Sequence, residues 1–248
     1  EAKRRAEQCE ARKRQVREMV AAATQGLAVQ TSCNITHGDS GGPPTGIHKA
    51  PASGPVQVRD PGDKRTGLGS GVTGDFVGDR RHHGGTDQAV YAVAREELDH
   101  WAAEVGRDLP PGSFGENLTT IGLDVDGALV GEIWRIGATV RLQVTGPRIP
   151  CSTFAWAIGE PQWVKRFTQR GRTGAYLRVL TPGEVAAGDP VVIESRPAHD
   201  ITVPVMFQAL TTERHLLPRL AEVGADLSEE GRREMAAYLE RQGDTPAT

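Results

Sequence analysis

Apolar and polar residues alternate along residues 138–145, Ala-Thr-Val-Arg-Leu-Gln-Val-Thr. That is the period of a half-buried strand. Further strands are expected over 26–35, after the glycine-punctuated turn at 110–120, and over 127–136, 171–180 and 185–195, with a short one at 55–58. The spacing changes in residues 88–105, where Val90, Val93, Ala94, Leu98, Trp101 and Ala102 recur at helical intervals. This predicts a helix, with Asp87 as its cap. Residues 161–169 predict a short helix with Trp163 and Phe167 on one face. After residue 201 three helical patterns follow, over 203–211, 214–223 and 228–242, the last opened by Ser228-Glu229-Glu230. Residues 1–24 are dense in helix formers but carry only a thin apolar stripe. The body of the protein, or a second copy of the chain in a homodimer, is the expected packing partner of that stripe.

The pattern divides the chain into an N-terminal helical extension (1–25), a β body with flanking helices (26–197) and a C-terminal three-helix unit (198–248). The fold class is mainly β with α. Thirty glycines and sixteen prolines among 248 residues suit a loop-rich β body. Residues 36–71, rich in glycine, proline and charge, make a connection long enough to serve as a pocket rim.

A formal net charge of -3 gives no global pull toward nucleic acid or anionic membranes. No apolar run reaches the length needed to span a bilayer, and residues 19–23 are too short for a signal-peptide core. Three cysteines, Cys9, Cys33 and Cys151, form an odd set without metal-finger spacing. A reducing compartment and a cytoplasmic location are therefore expected. The opening Glu1 is expected of a chain that continues upstream.

The strongest chemical signal follows the alternating strand, in Gly146-Pro-Arg-Ile-Pro-Cys-Ser-Thr153. Two prolines stiffen this loop and hold Arg148 and Ile149 extended. Cys151 thus sits on a rigid segment at a strand end, with a cation three residues away that favours thiolate. Taken alone, such a cysteine is more often a small buried apolar residue. Gly84 and Gly85 allow close backbone approach and offer N–H groups to an anion. Asn117, Thr119 and Thr120 offer amide and hydroxyl groups suited to a polar heterocycle, or to nearby backbone. Arg172, between Gly171 and Gly174, can reach an anionic group or lie in a surface turn.

Four blocks in this order, His83-Gly-Gly-Thr-Asp-Gln-Ala-Val-Tyr91, Phe114-Gly-Glu-Asn-Leu-Thr-Thr120, Pro147-Arg-Ile-Pro-Cys151 and Gly171-Arg-Thr-Gly-Ala-Tyr176, resemble the MOSC family. The name denotes the molybdenum cofactor sulfurase C-terminal domain, and the resemblance is in particular to its stand-alone bacterial YiiM-like subgroup. The resemblance covers residues 26–195, and 201–242 is similar to the three-helix unit that follows MOSC in that subgroup. Two departures stand out. Thr86 replaces a proline, and the early glycine-rich block survives only loosely in residues 41–51, so Lys49 is not carried over as a cofactor contact.

The resemblance implies a MOSC-type β-barrel that holds molybdenum cofactor (molybdopterin), with Cys151 as molybdenum ligand and catalytic residue. It implies cofactor contacts from His83, Gly84, Gly85, Asn117, Thr119, Arg148 and Arg172. A soft thiolate suits a sulfur-rich metal centre. The implied activity is reduction of small N-hydroxylated compounds (hydroxylaminopurines, hydroxylamines, amidoximes) with electrons from a partner reductase, since no iron–sulfur cysteine cluster is present. Asp87 and Glu116 lie in the matching blocks as possible acids. The rival readings are a sulfur or cofactor carrier using Cys151 without turnover, an interaction module with an empty barrel, and, more weakly, a zinc hydrolase built on His82, His83 and Cys151.

Overall fold

The computed structural model describes residues 45–243 and the backbone strand over 31–36. The helix expected at 1–24 and the start of the first strand lie outside the described residues. Ten strands are described: β1 (Thr31–Thr36), β2 (Lys49–Pro51), β3 (Val56–Val58), β4 (Val90–Ala94), β5 (Leu118–Thr120), β6 (Ile133–Ile136), β7 (Val140–Pro147), β8 (Ala175–Thr181), β9 (Gly183–Val185) and β10 (Val191–Ser195). Five α-helices accompany them: α1 (Arg95–Val105), α2 (Ser152–Ile158), α3 (Trp163–Arg170), α4 (Val203–Leu210) and α5 (Glu229–Gln242).

Eight strands form one sheet in the order β10-β6-β7-β8-β4-β5-β1-β2, curled into a half-barrel, while β3 and β9 pair separately. The β4–β5 pair is parallel, and its register sets Val93 beside Thr119. β7 is the long central strand, flanked by β6 and β8. The strand that the alternation over 138–145 predicts runs on to Pro147, with residues 142–147 all buried, and the missing N–H and fixed φ of proline end regular pairing there.

The helix expected over 88–105 is only partly formed. Val90–Ala94 is a strand, and the helix starts at Arg95 with Ala94 as its N-cap residue. All five residues of Val-Tyr-Ala-Val-Ala are buried, as in a strand covered on both faces, and such a run shows no period of two. Asp87 therefore does not cap α1. Its Oδ2 accepts a hydrogen bond at 2.8 Å from the Glu229 N–H, at the start of α5. The α2 helix, directly after Cys151, is an element that sequence reasoning missed.

The helices α1, α2 and α3 close over an aromatic cluster. Phe154 meets Phe114 edge-on at 5.1 Å and Phe167 at 5.0 Å, with Trp163 and Trp101 packed beyond. Phe154 thereby fixes the helix that begins at Cys151. Burying a phenylalanine side chain contributes about 1.5–3 kcal/mol by apolar transfer alone.

The C-terminal helices dock on the sheet. Val130 N–H donates to Ile201 O at 2.9 Å, Val203 N–H donates to Ala128 O at 3.0 Å, and Val130 joins the cluster of Met206, Leu217 and Leu220. Ser228 caps α5 through its hydroxyl, as its position before Glu229 and Glu230 predicts. Among the described residues no helix is long and apolar enough to cross a membrane.

Candidate functional site

The chain leaves β7 at Pro147, passes Arg148 and Pro150, and enters α2 through Cys151. This brings a charged and a nucleophilic side chain to one wall of a cavity of about 1130 Å³. His83, Gly84, Tyr91, Asn117 and Tyr176 share the wall, with Lys49 and Asp75 beside them. Arg65, Arg80 and Arg81 lie on its lining too, so cations outnumber the carboxylates Asp75 and Asp79.

Cys151 is a free, half-buried thiol. Burial pushes its pKa up, but the His83 hydrogen bond, the Phe154 N–H and the Arg148 charge outweigh it, and the value falls to about 6. The thiolate is the form that ligates a metal or attacks an electrophile. Cys151 thus packs against the aromatic cluster on one side and lines the cavity on the other.

Arg148 is 5% exposed. Its guanidinium lies 4.1 Å from the Phe154 ring centre and 5.0 Å from that of Tyr91, and it donates to Phe114 O. Its Nε is buried without a hydrogen-bond partner among the described residues. Burial pulls the Arg148 pKa down, yet Tyr91, Tyr176 and Cys151 hold it above its ordinary value. Burial pushes the phenols of Tyr91 and Tyr176 up, so both remain hydrogen-bond donors.

The glycine pair does tight backbone work. Gly84 has φ 83°, and a Cβ there would stand 2.6 Å from Gly69 O. Its N–H donates to the Gln88 side chain at 3.1 Å and that of Gly85 to Gly69 O at 3.0 Å, so both are committed within the loop. Gly84 lines the cavity, while Gly85 packs against Lys64.

Asn117 accepts from Tyr91 N–H at 3.1 Å and donates to Asp75 Oδ2 at 2.8 Å, which the Ser70 hydroxyl also reaches at 2.7 Å. Asp75 in turn pairs with Lys49, the two side chains being 2% and 5% exposed. Burial lowers the Lys49 pKa, against the opposing pull of Asp75 and Glu116. This pair is the part of the site that the sequence did not reveal, because Lys49 lies in a loosely patterned segment and Asp75 lies 26 residues further on, past β3.

Other expected contacts lie elsewhere. The Thr119 hydroxyl donates to Glu116 at 2.8 Å, and Glu116 also accepts from Gly112 N–H and Phe114 N–H, so this buried carboxyl clips its own loop. Burial pushes the Glu116 pKa up while those hydrogen bonds draw it back. Arg172 is not on the cavity lining. It pairs with Glu97, with Asp124 at 3.0 Å and with Asp126 at 3.7 Å, and it borders a separate hollow of about 320 Å³ with Arg170. His82 is exposed, sits 3.0 Å from Asp79 and is not on the cavity lining. Among the described residues no group of three or more His, Cys, Asp or Glu side chains could hold a metal ion on its own.

This donor set fits a molybdenum cofactor. The cavity admits a tricyclic pterin, the thiolate suits molybdenum, the surplus cations suit phosphate, and the buried Arg148 Nε lacks an acceptor.

A family model described as MOSC domain matches residues 79–192. Uncharacterized protein YflK of Bacillus subtilis is 35% identical over 159 residues, covering 64% of this chain and 67% of that protein. A protein named Reductase from Gibberella moniliformis is 34% identical over 139 residues, covering 52% of this chain but only 23% of its own length. The crystal structure of YiiM from Geobacillus stearothermophilus superposes with a TM-score of 0.67 at 29% identity, covering 84% of this chain and 97% of that one. The chain belongs to the MOSC domain family, which is associated with molybdenum-cofactor binding, and its function is of that cofactor-associated kind.

Proposed function

We propose that the protein is a molybdenum-cofactor-dependent reductase of N-hydroxylated compounds, supplied with electrons by a partner reductase. The observation that carries this reading is the Cys151 thiol, lowered to about 6 by His83, Phe154 N–H and Arg148 despite its burial, and set on the wall of a cation-rich cavity. The similarity to a protein named Reductase supports it.

When bound, the molybdenum centre supplies the two-electron chemistry that removes oxygen from nitrogen. The overall reaction joins a hydroxylamine, amidoxime or hydroxylaminopurine with two electrons and two protons to give the amine and water. Cys151 Sγ would hold the metal, and the His83 hydrogen bond favours the ionised sulfur. Arg148, clamped between Tyr91 and Phe154, would offer its Nε to a cofactor oxygen, and Asn117, on the same wall, holds Tyr91 N–H and Asp75 in place through its amide. Lys49 Nζ, paired with Asp75, holds a proton at the cavity surface, and burial makes that proton easier to release. Asp87 and Glu116 are not the acids in this scheme, since one faces α5 and the other its own loop.

The test is the molybdenum and pterin content of protein from a molybdenum-replete host, followed by benzamidoxime reduction with reduced methyl viologen as donor. Full occupancy with turnover supports the reductase. Full occupancy without turnover overturns it in favour of a cofactor carrier, and persistent absence of molybdenum favours the interaction module.

A further inference from the structure

We propose that Trp156 forms a ring-binding subsite at the cavity mouth that selects planar aromatic N-hydroxylated substrates over small aliphatic ones. The inference rests on the reductase reading and specifies the substrate that the same cavity takes.

Of the four tryptophans, Trp101, Trp134 and Trp163 are at most 3% exposed, whereas Trp156 is 57% exposed. A single exposed aromatic is unremarkable on a protein surface. This one lines the cavity, as does Phe76 at 42% exposed.

The α2 helix explains the placement. Phe154 and Ile158 are buried on one side, while Ser152, Thr153 and Trp156 line the cavity on the other. Trp156 follows Ser152 by four residues, so it stands about 6 Å further along the helix axis, one turn outward from the start beside Cys151. A substrate whose N–O group meets a metal held by Cys151 has room to lay its carbon skeleton along that turn. A planar ring there meets indole, flanked by the Ser152 and Thr153 hydroxyls.

The indole is restrained. His48 packs against it edge-on, with ring centres 5.5 Å apart and planes at 70°. A restrained indole loses less rotamer freedom when a ring stacks on it, and stacking of a base on an aromatic side chain strengthens binding roughly five- to one-hundred-fold. Hydroxylamine has no ring and gains none of this.

The test uses the cofactor-loaded full chain as wild type, Trp156→Ala and Trp156→Phe. Specificity constants for benzamidoxime and hydroxylamine are measured with reduced methyl viologen, and adenine, a planar compound with no N–O bond, is titrated by calorimetry. In Trp156→Ala the benzamidoxime-to-hydroxylamine ratio is expected to fall about tenfold and adenine affinity to weaken about five- to one-hundred-fold, with Trp156→Phe restoring most of both. An unchanged ratio, or adenine affinity equal in wild type and Trp156→Ala, overturns the proposal. If the wild type reduces neither substrate, the reductase reading fails on its own, and the adenine titration still decides whether the ring subsite exists.

Discussion

Arg148 follows a proline at the end of β7, and Arg172 follows a glycine shortly before β8. Both neighbour chain-reversing residues, and both stand within a few residues of a central strand. Arg148 ends between two aromatic rings, and among the described residues it has no carboxylate ion pair and one nitrogen is unpartnered. Arg172 ends among Glu97, Asp124 and Asp126. An arginine held by carboxylates has little attraction left for an anionic ligand, while one held by aromatic faces keeps its charge for use. What surrounds a cation, more than its distance along the chain from a suspected nucleophile, decides whether it can bind.

The contrast can be broken by mutation. The largest effect is expected at Cys151: Cys151→Ser should lower molybdenum content at least about tenfold, read by metal analysis, while the unfolding midpoint stays within the small range usual for a near-isosteric change. Arg148→Ala should combine loss of cofactor with loss of stability. It opens a void between Tyr91 and Phe154 and strands Phe114 O, costing about 3 kcal/mol in chemical denaturation. Arg148→Lys should recover little, because a compact ammonium cannot span both rings. Should Arg148→Ala retain full cofactor, the two arginines would not differ in the way argued.

Arg172→Ala sharpens the other half. Cofactor content should be unchanged, and the loss should fall on stability, about 1–3 kcal/mol, because Glu97 and Asp126 lose a partner while buried. Burial pushes the Asp126 pKa from its ordinary range up to about 6, with Gly174 N–H and Arg172 drawing it back. A buried acid with a raised pKa destabilises its protein as it ionises. The Arg172→Ala deficit should therefore be small at pH 5 and grow as pH rises through about 6, measured by denaturant midpoints across that window.

The pH dependence of Cys151 runs the other way. Its thiol is depressed, so alkylation of the cofactor-free protein by iodoacetamide should be fast above pH 6 and fall below it. His83→Ala should move that midpoint upward, a subtler change than any of the losses above.

Much of this was legible in the sequence. The alternation leading to Pro147, the Trp163 and Phe167 face, and Ser228 as a cap each express a local rule, and local rules survive without knowledge of the fold. Cys151 stood out because two prolines and an arginine bracket it within four residues. The strand Val90–Ala94 was hidden because its spacing runs smoothly into that of α1, and burial on both faces erased the alternation. The Lys49–Asp75 pair and the carboxylates around Arg172 were hidden for another reason. Asp75 lies 26 residues from Lys49, and Glu97 lies 75 residues from Arg172. Only the folded sheet brings such partners together.

The Asp87 carboxylate has a consequence beyond its own neighbourhood. It receives the Glu229 N–H and pairs with Arg178 at 2.8 Å, and Arg178 in turn donates to Asp226 O. The segment that begins at His83 is thus moored to α5 and the turn before it. Trimming the protein ahead of residue 226 would cut that mooring four residues from the imidazole that faces Cys151, so damage near the far end of the polypeptide would be felt at the cavity wall.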